Sequence, residues 1–406
     1  MGPSSATLHD RRTPAATQRM LDELRVQLLA PADVVQHRSG TTAGDTAPEH
    51  HIAADRYFDA AIHAAEVQTL FRGQPLVVAH ASELAPGQVL PHDGYDLPLL
   101  IARDAQGVVR CFLNVCRHRG MRLLEDATAA CDRASLVCRY HGWTYRLDGT
   151  LRHMPHAETF DACAEGARDL VALPCVERHG LIWVLPQRDV SLDLDGFLQG
   201  MGPELDFLGV ADLVHFRTIT AEYDANWKLI VDAFLESLHI RILDSDTIYP
   251  FFTDGVAASS RFGPHIYSLV ARRKALPWAE AAEPDPGTVE DLCRISTPSH
   301  VIFPNTITVF HPDYLSLITV YPVAPERFRW MHRMLIPRAK SGADWLPHWE
   351  KTFNLIEQGV FQKEDIHCAV QIQRGLRSGA NAWMTAGRME RGVGWFHDSV
   401  REAIGL

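Results

Sequence analysis

Cys116-Arg117-His118-Arg119-Gly120 is followed, after 19 residues between His118 and Cys138, by Cys138-Arg139-Tyr140-His141-Gly142-Trp143. Each half offers one thiolate and one imidazole, two or three positions apart, on a tight loop. Strand ends bring short loops together, so the pair can close a four-ligand metal site. The intervening segment, with Cys131, reads as a surface loop. On either side, short apolar runs such as Leu76-Val77-Val78-Ala79, Val108 to Leu113 and Gly180 to Pro186 are separated by Gly, Pro and Asp turns. That alternation predicts a small all-β domain over residues 75–190.

Two Cys and two His with short spacings also describe a zinc ribbon. Here each loop pairs one sulfur with one nitrogen, which suits a [2Fe–2S] cluster with both cysteines on one iron and both histidines on the other. Gly120, Gly142 and Trp143 stand where two loops must pack closely over such a group.

The 406 residues exceed one ordinary domain and suit two, each with its own core. Hydrophobic residues make up 46% and charged ones 22%, the balance of a globular protein. A net charge of −11, from 39 basic and 50 acidic residues, argues against a nucleic-acid or anionic-membrane surface. No apolar run reaches the roughly 18 residues of a membrane helix. Met1 to Asp10 does not resemble a signal peptide, so a cytoplasmic location is expected. Eight cysteines are too sparse for a disulfide scaffold. Cys111, Cys131, Cys163, Cys175, Cys293 and Cys368 have no obvious ligand partners and read as free thiols.

Outside the β domain, residues 1–74 read as a helical arm: Met20, Leu21, Leu24 and Leu28 recur at helical spacing, residues 38–49 form a linker, and 55–71 are helical again. Residues 191–406 read as an α+β domain. It has a helical stretch near 196–208, strands at 214–223, 299–310, 314–323 and 327–337, and a long closing helix from Trp345 to Arg374. Asn226 to Ile242 is expected to be one helix. Along it Asp232, Glu236 and His239 fall at i, i+4 and i+7 on one face, an acidic stripe that is either solvated or a site.

These motifs resemble the Rieske non-haem iron oxygenases, in particular the large (alpha) subunits of aromatic-ring-hydroxylating dioxygenases. Asn114-Val115-Cys116-Arg117-His118-Arg119-Gly120 and Cys138 to Trp143 are similar to that family's cluster loops almost letter for letter. The resemblance implies an all-β Rieske [2Fe–2S] domain, with Cys116, His118, Cys138 and His141 as ligands, and a helix-grip (START-like) catalytic domain. It also implies a mononuclear Fe(II). Asn226-Trp227-Lys228 leads to Glu236 at the family's acidic position and His239 at its first iron ligand. Gln362-Lys363-Glu364-Asp365 resembles the segment of the carboxylate ligand, with Asp365 favoured over Glu364. Asp232 joins Glu236 as a candidate catalytic residue.

Five positions after His239, where the family has its second histidine, this chain has Asp244. On an ideal helix i+5 lies about 140° from i, so the backbone must bend for residue 244 to face a metal. Three readings follow. Asp244 ligates, making the site more negative and favouring ferric iron. Alternatively Asp244 does not reach, and water or His265 completes the shell. In the third, the site is impaired.

The family's activity, carried over, makes the chain an oxygenase component of the mono- or dioxygenase type. It would pass electrons from an NAD(P)H-dependent reductase or ferredoxin through the cluster to the iron, activating O2 to hydroxylate or oxidatively demethylate a small organic substrate. Aromatic-hydrocarbon catabolism is the expected setting, and a homotrimer the expected assembly, with His141 of one subunit bonded to Glu236 of the next. Phe234, Leu238, Ile242, Phe303, Phe310 and Phe361 are candidate pocket residues. The alternative is an electron-transfer or regulatory protein with an impaired second site.

Overall fold

A computed structural model of the chain describes residues 12–30, 49–94, 97–125, 130–281 and 286–406. Most of the expected linker at 38–49 and the middle of the His118–Cys138 segment lie outside the described residues. Just after that segment, residues 131–132 are not surface loop: they form a short strand paired with Gln88 and Val89.

The cluster loops belong to a set of small antiparallel sheets. One follows the strand Val109–Leu113; the other connects strands Leu136–Val137 and Thr144–Tyr145. Leu99–Arg103 and Leu181–Val184 are buried along their whole length, which places them between layers and explains their continuous apolar reading.

The catalytic half is built on a seven-stranded antiparallel sheet. Its strands are β1 (Leu213–Tyr223), β2 (Phe252–Phe262), β3 (His265–Arg272), β4 (Ser296–Ile302), β5 (Thr306–Phe310), β6 (Leu315–Ala324) and β7 (Arg327–Pro337), in spatial order β1-β7-β6-β5-β4-β3-β2. Four strands were expected in this half. The run 299–310 is two strands, β4 and β5, meeting in a hairpin. The hairpin of β2 and β3 has no counterpart among the expected elements. Its alternation is obscured because β3 is buried on nearly every residue and β2 is interrupted in register between Phe252 and Ala257.

Residues 346–376 run helically across the inner face of the sheet. Phe353 stacks on His332 at 5.4 Å and Phe361 meets Trp330 at 5.3 Å, both partners on β7. Leu355–Ile366 within this helix is wound as a π-helix, a widening that recurs at functional sites. The expected arm helix, α1 (Ala15–Leu29), buries Met20, Leu21, Leu24 and Leu28 in a shared core with Tyr267 and Leu269 of β3. The helix Arg391–Ile404, absent from the sequence reading, adds Phe396 and Val400 to the main core.

The expected helix Asn226–Ile242 stops early. The segment α2 (Trp227–Ala233), capped by the Asn226 side chain on the Lys228 N–H, ends at Ala233; turns and a 3-10 turn at His239–Arg241 follow. This break lets residues beyond 233 turn back toward the long helix.

Candidate active site

The two cluster loops close in the same way. The Cys116 N–H donates to the Met121 carbonyl (2.8 Å) and the Gly120 N–H to the Cys116 carbonyl (3.0 Å); Cys138 to Trp143 (2.8 Å) and Gly142 to Cys138 (2.9 Å) repeat the pattern. Gly120 and Gly142 have φ of 81° and 72°, which explains why glycine stands at both. Cys116 and Cys138 are buried, each 2% exposed. The imidazoles of His118 and His141 lie outward, their Nδ1 atoms 3.1 Å apart. His118 is stacked flat on Trp143, centroids 4.9 Å apart, and the Tyr145 hydroxyl lies 3.5 Å from Cys116 Sγ.

A zinc ion draws all four ligands to one point. Among the described residues, the only group of three or more such side chains with ligand atoms within 4.8 Å of one another is a different one, in the catalytic half. Sulfurs inside and nitrogens outside instead give two separate ends, as two irons require.

That other group is His239, Asp244 and Asp365. His239 enters from the 3-10 turn, Asp244 from the turn that follows, and Asp365 from the end of the π-helical stretch. His239 Nε2 is 3.8 Å from both Asp244 Oδ2 and Asp365 Oδ1. Both Asp244 oxygens and Asp365 Oδ1 are buried without a hydrogen-bond partner among the described residues. Two buried carboxylates that share a single imidazole and accept no hydrogen bond form a donor set that a metal cation would complete. Burial pushes Asp244 and Asp365 each up to about 7, with His239 opposing and neighbouring carboxylates reinforcing the shift. For His239 burial acts downward, but the bond to Glu236 and the surrounding carboxylates prevail and lift it to about 9. An imidazole and two carboxylates of this kind suit a divalent or trivalent iron.

Glu236 accepts from His239 Nδ1 and from the backbone N–H groups of Leu238 and His239. With Nδ1 donating to Glu236, Nε2 is the ring atom that faces the two aspartates. Glu364 lies beside Asp244 and helps to raise it, and its carboxylate accepts from the Thr247 hydroxyl at 2.9 and 3.2 Å. His265 does not approach the group. Its Nε2 bonds the Phe197 carbonyl (2.7 Å) and its Nδ1 accepts from the Phe303 N–H (3.0 Å).

Asp232 is neither a ligand nor free. Its oxygens bond the Tyr57 hydroxyl (2.7 Å) and His397 Nε2 (3.0 Å). It nonetheless lines a cavity of about 210 Å³ with Glu236 and His239. Tyr57 and His397 escaped the sequence reading, because they lie 175 and 165 positions away from Asp232.

A second cavity, of about 90 Å³, lies against His239, Asp244 and Asp365, with Phe234, Phe252 and Phe361 among its walls. Of the candidate pocket residues, Phe234 and Phe361 line it. Leu238 and Ile242 are surface residues, 36% and 77% exposed, on the turns that follow the end of α2 at Ala233. Phe303 packs on Phe396, and Phe310 against His300, in the cores.

The Rieske [2Fe-2S] domain model matches residues 74–175, and the model of the ring hydroxylating alpha subunit catalytic domain matches residues 210–406. The glycine betaine monooxygenase oxygenase subunit of Chromohalobacter salexigens is 26% identical, covering 89% of this chain and 86% of its own length. The carnitine monooxygenase oxygenase subunit of Escherichia coli K12 is 25% identical, covering 87% and 93%. Among solved structures, the quaternary ammonium Rieske monooxygenase CntA with L-carnitine superposes with a TM-score of 0.72 at 21% identity, over 87% of this chain and 94% of that one. Naphthalene 1,2-dioxygenase from Rhodococcus sp. gives 0.74 at 17% identity, over 96% and 98%. No helix among the described residues is long and apolar enough to cross a membrane. The chain belongs to the Rieske non-haem iron oxygenases, as an oxygenase subunit that carries a Rieske [2Fe–2S] cluster and a mononuclear non-haem iron.

Proposed function

We infer that Cys116, His118, Cys138 and His141 hold the cluster and that His239, Asp244 and Asp365 hold the mononuclear iron, a site of one imidazole and two carboxylates. The observation that carries this reading is the convergence of two buried, unpartnered carboxylates on His239 beside an apolar cavity. When bound, the iron supplies the redox centre at which dioxygen is activated. Glu236 fixes the His239 tautomer and ring plane, and the Asp232–Tyr57–His397 group positions the segment that carries both. Phe234, Phe252 and Phe361 offer apolar faces that exclude water and suit a methylated or cationic substrate group.

The substrate is a compact organic molecule, hydroxylated or oxidatively demethylated. The two curated relatives described above are named for betaine and carnitine, so aromatic-hydrocarbon catabolism has no support from them. A cavity of about 90 Å³ also suits a compact ligand better than a fused ring system. An NAD(P)H-dependent reductase or a ferredoxin supplies electrons, and the assembly is a homotrimer in which His141 of one subunit meets Glu236 of the next.

Metal analysis tests the assignment. Three irons per chain are expected, and Asp244→His should also hold three. Two irons in the native chain and three in the variant would instead mean an impaired second site and favour an electron-transfer or regulatory role.

Glu236→Gln tests the bridge. Gln can still bond His239 but carries no charge, so both metals are expected to stay while product formed per cluster oxidised falls about 10- to 100-fold. Normal coupling in that variant would remove Glu236 from the electron path.

A further inference from the structure

Two cavities meet at His239, and they differ in what lines them and in where they lead. The cavity of about 90 Å³ touches His239, Asp244 and Asp365, and none of its lining residues is exposed. Its remaining walls are largely apolar, with Phe234, Phe252, Val309 and Phe361 among them. The cavity of about 210 Å³ shares Ala233, Glu236, His239 and Asp365 with it but continues outward to Ile372 and Thr385, which are exposed. One face of the long helix forms a wall of this passage. Asp365, Cys368, Ala369 and Ile372 stand there at i, i+3, i+4 and i+7, from a carboxylate 6% exposed to a side chain 38% exposed.

The wider cavity is also the acidic one. Asp232, Glu236, Asp365 and Glu390 line it, and among the described residues that do so none is Lys or Arg. Asp232 and Glu236 are held by the partners given above. One oxygen of the half-buried Glu390 accepts from the Gly387 N–H at 2.6 Å. Deeper in, Asp365 Oδ1 is buried with no hydrogen-bond partner among the described residues. A cleft lined by one sign of charge concentrates the opposite ion and speeds its arrival by about 10- to 1000-fold. Size points the same way. At roughly 30 Å³ per water, a cavity of about 210 Å³ has room for a divalent ion that keeps an octahedral water shell, and one of about 90 Å³ does not. Entry past the phenylalanines would strip that shell with no oxygen to replace it, whereas carboxylates replace it step by step.

We propose that the wider cavity is the port through which hydrated ferrous iron is loaded, with Glu390 as the carboxylate that draws it in and Asp365 as the one that passes it to His239 and Asp244. The inference rests on reading those last three residues as the iron ligands, and it adds the route by which metal reaches them. A port residue lowers the barrier in both directions, so it changes the rates of loading and loss alike and leaves the affinity in place.

The test is timed iron uptake by the full-length, cluster-loaded protein after its mononuclear iron has been removed with a chelator. Ferrous iron is added anaerobically, free metal is stripped at intervals, and iron per chain is counted. The native chain is expected to return to three irons. Glu390→Gln and Ile372→Lys, the latter placing an ammonium at the exposed mouth, should also reach three, but at least about fivefold more slowly. Chelator-driven loss should slow by the same factor, and added salt should narrow the difference from the native chain. Uptake at the native rate in both variants would overturn the proposal. So would a Glu390→Gln chain that keeps its cluster absorbance yet stops at two irons, since Glu390 would then act on the bound metal and not along the way. If Glu390→Gln loses its cluster absorbance, the exposed Ile372→Lys decides alone. A native chain that regains three irons at a rate both variants share overturns only the port, whereas a native chain that stops at two overturns the ligand assignment beneath it.

Discussion

Replacing Asp365 with alanine is expected to yield a chain that keeps its cluster absorbance, holds two irons instead of three, and loses at least about 100-fold in substrate-dependent turnover. The expectation follows from how the carboxylate is held. Asp365 is 6% exposed, its Oδ1 has no partner among the described residues, and it faces His239 Nε2 at 3.8 Å. Its neighbour Glu364 is not in the group of ligand atoms that converges on His239, and its carboxylate accepts from the Thr247 hydroxyl. If Asp365→Ala keeps three irons while Glu364→Ala loses one, the ligand is Glu364. The pH behaviour has a definite sign. Protons compete with the metal for His239, lifted to about 9 in the metal-free site, and for both aspartates, which burial lifts to about 7, so iron retention should weaken as pH falls through this range and most steeply below about 7.

The second large effect concerns stability. Lys228 Nζ donates to Glu66 Oε1 at 2.6 Å, and the two side chains are 1% and 0% exposed. Trp227 Nε1 donates to the other oxygen at 3.0 Å. Glu66 belongs to the helix Ala60–Glu66 in the N-terminal arm, so this one carboxylate ties the arm to α2. Burial presses the Lys228 ammonium toward its neutral form, and Glu66 opposes that. Glu66→Ala leaves an unpaired buried charge and should cost about 3–5 kcal/mol in a urea titration, with a lowered midpoint. The paired replacement Glu66→Leu with Lys228→Met should recover much of that loss, because it removes the desolvation penalty along with the pair. A double variant as unstable as Glu66→Ala would show that shape, not charge, dominates the contact.

Much of the chemistry could be read from short stretches. Each cluster loop is complete within about five residues, its glycine required by a local positive φ, so nothing distant is needed to recognise it. Asp232, Glu236, His239, Asp244 and Asp365 were all singled out from sequence, and the structure brings the last three together around one point. The β7 strand keeps the bounds read for it, residues 327–337, because eleven extended residues with a buried face leave little ambiguity. By contrast, the reading of one helix from Asn226 to Ile242 failed at Ala233, where local apolar spacing continues but the backbone does not. Leu238 and Ile242, pocket candidates for their nearness to the ligands in sequence, lie on the turns beyond that break and are exposed.

What the sequence by itself determined is the local metal chemistry: thiolates and imidazoles paired on two loops, and an acidic residue, a histidine and a distant carboxylate in a recognisable order. Those features depend on spacings of a few residues, which the chain carries wherever it goes. Only the tertiary structure decided where Asp244 points, that Glu364 is occupied by Thr247, and that Tyr57 and His397 share Asp232. Only it brought Thr297 and His311 to the wall of a cavity that the two aspartates also line. Such contacts join residues far apart in sequence, and they exist because burial forces each polar group to find a partner in whatever the packed core brings near.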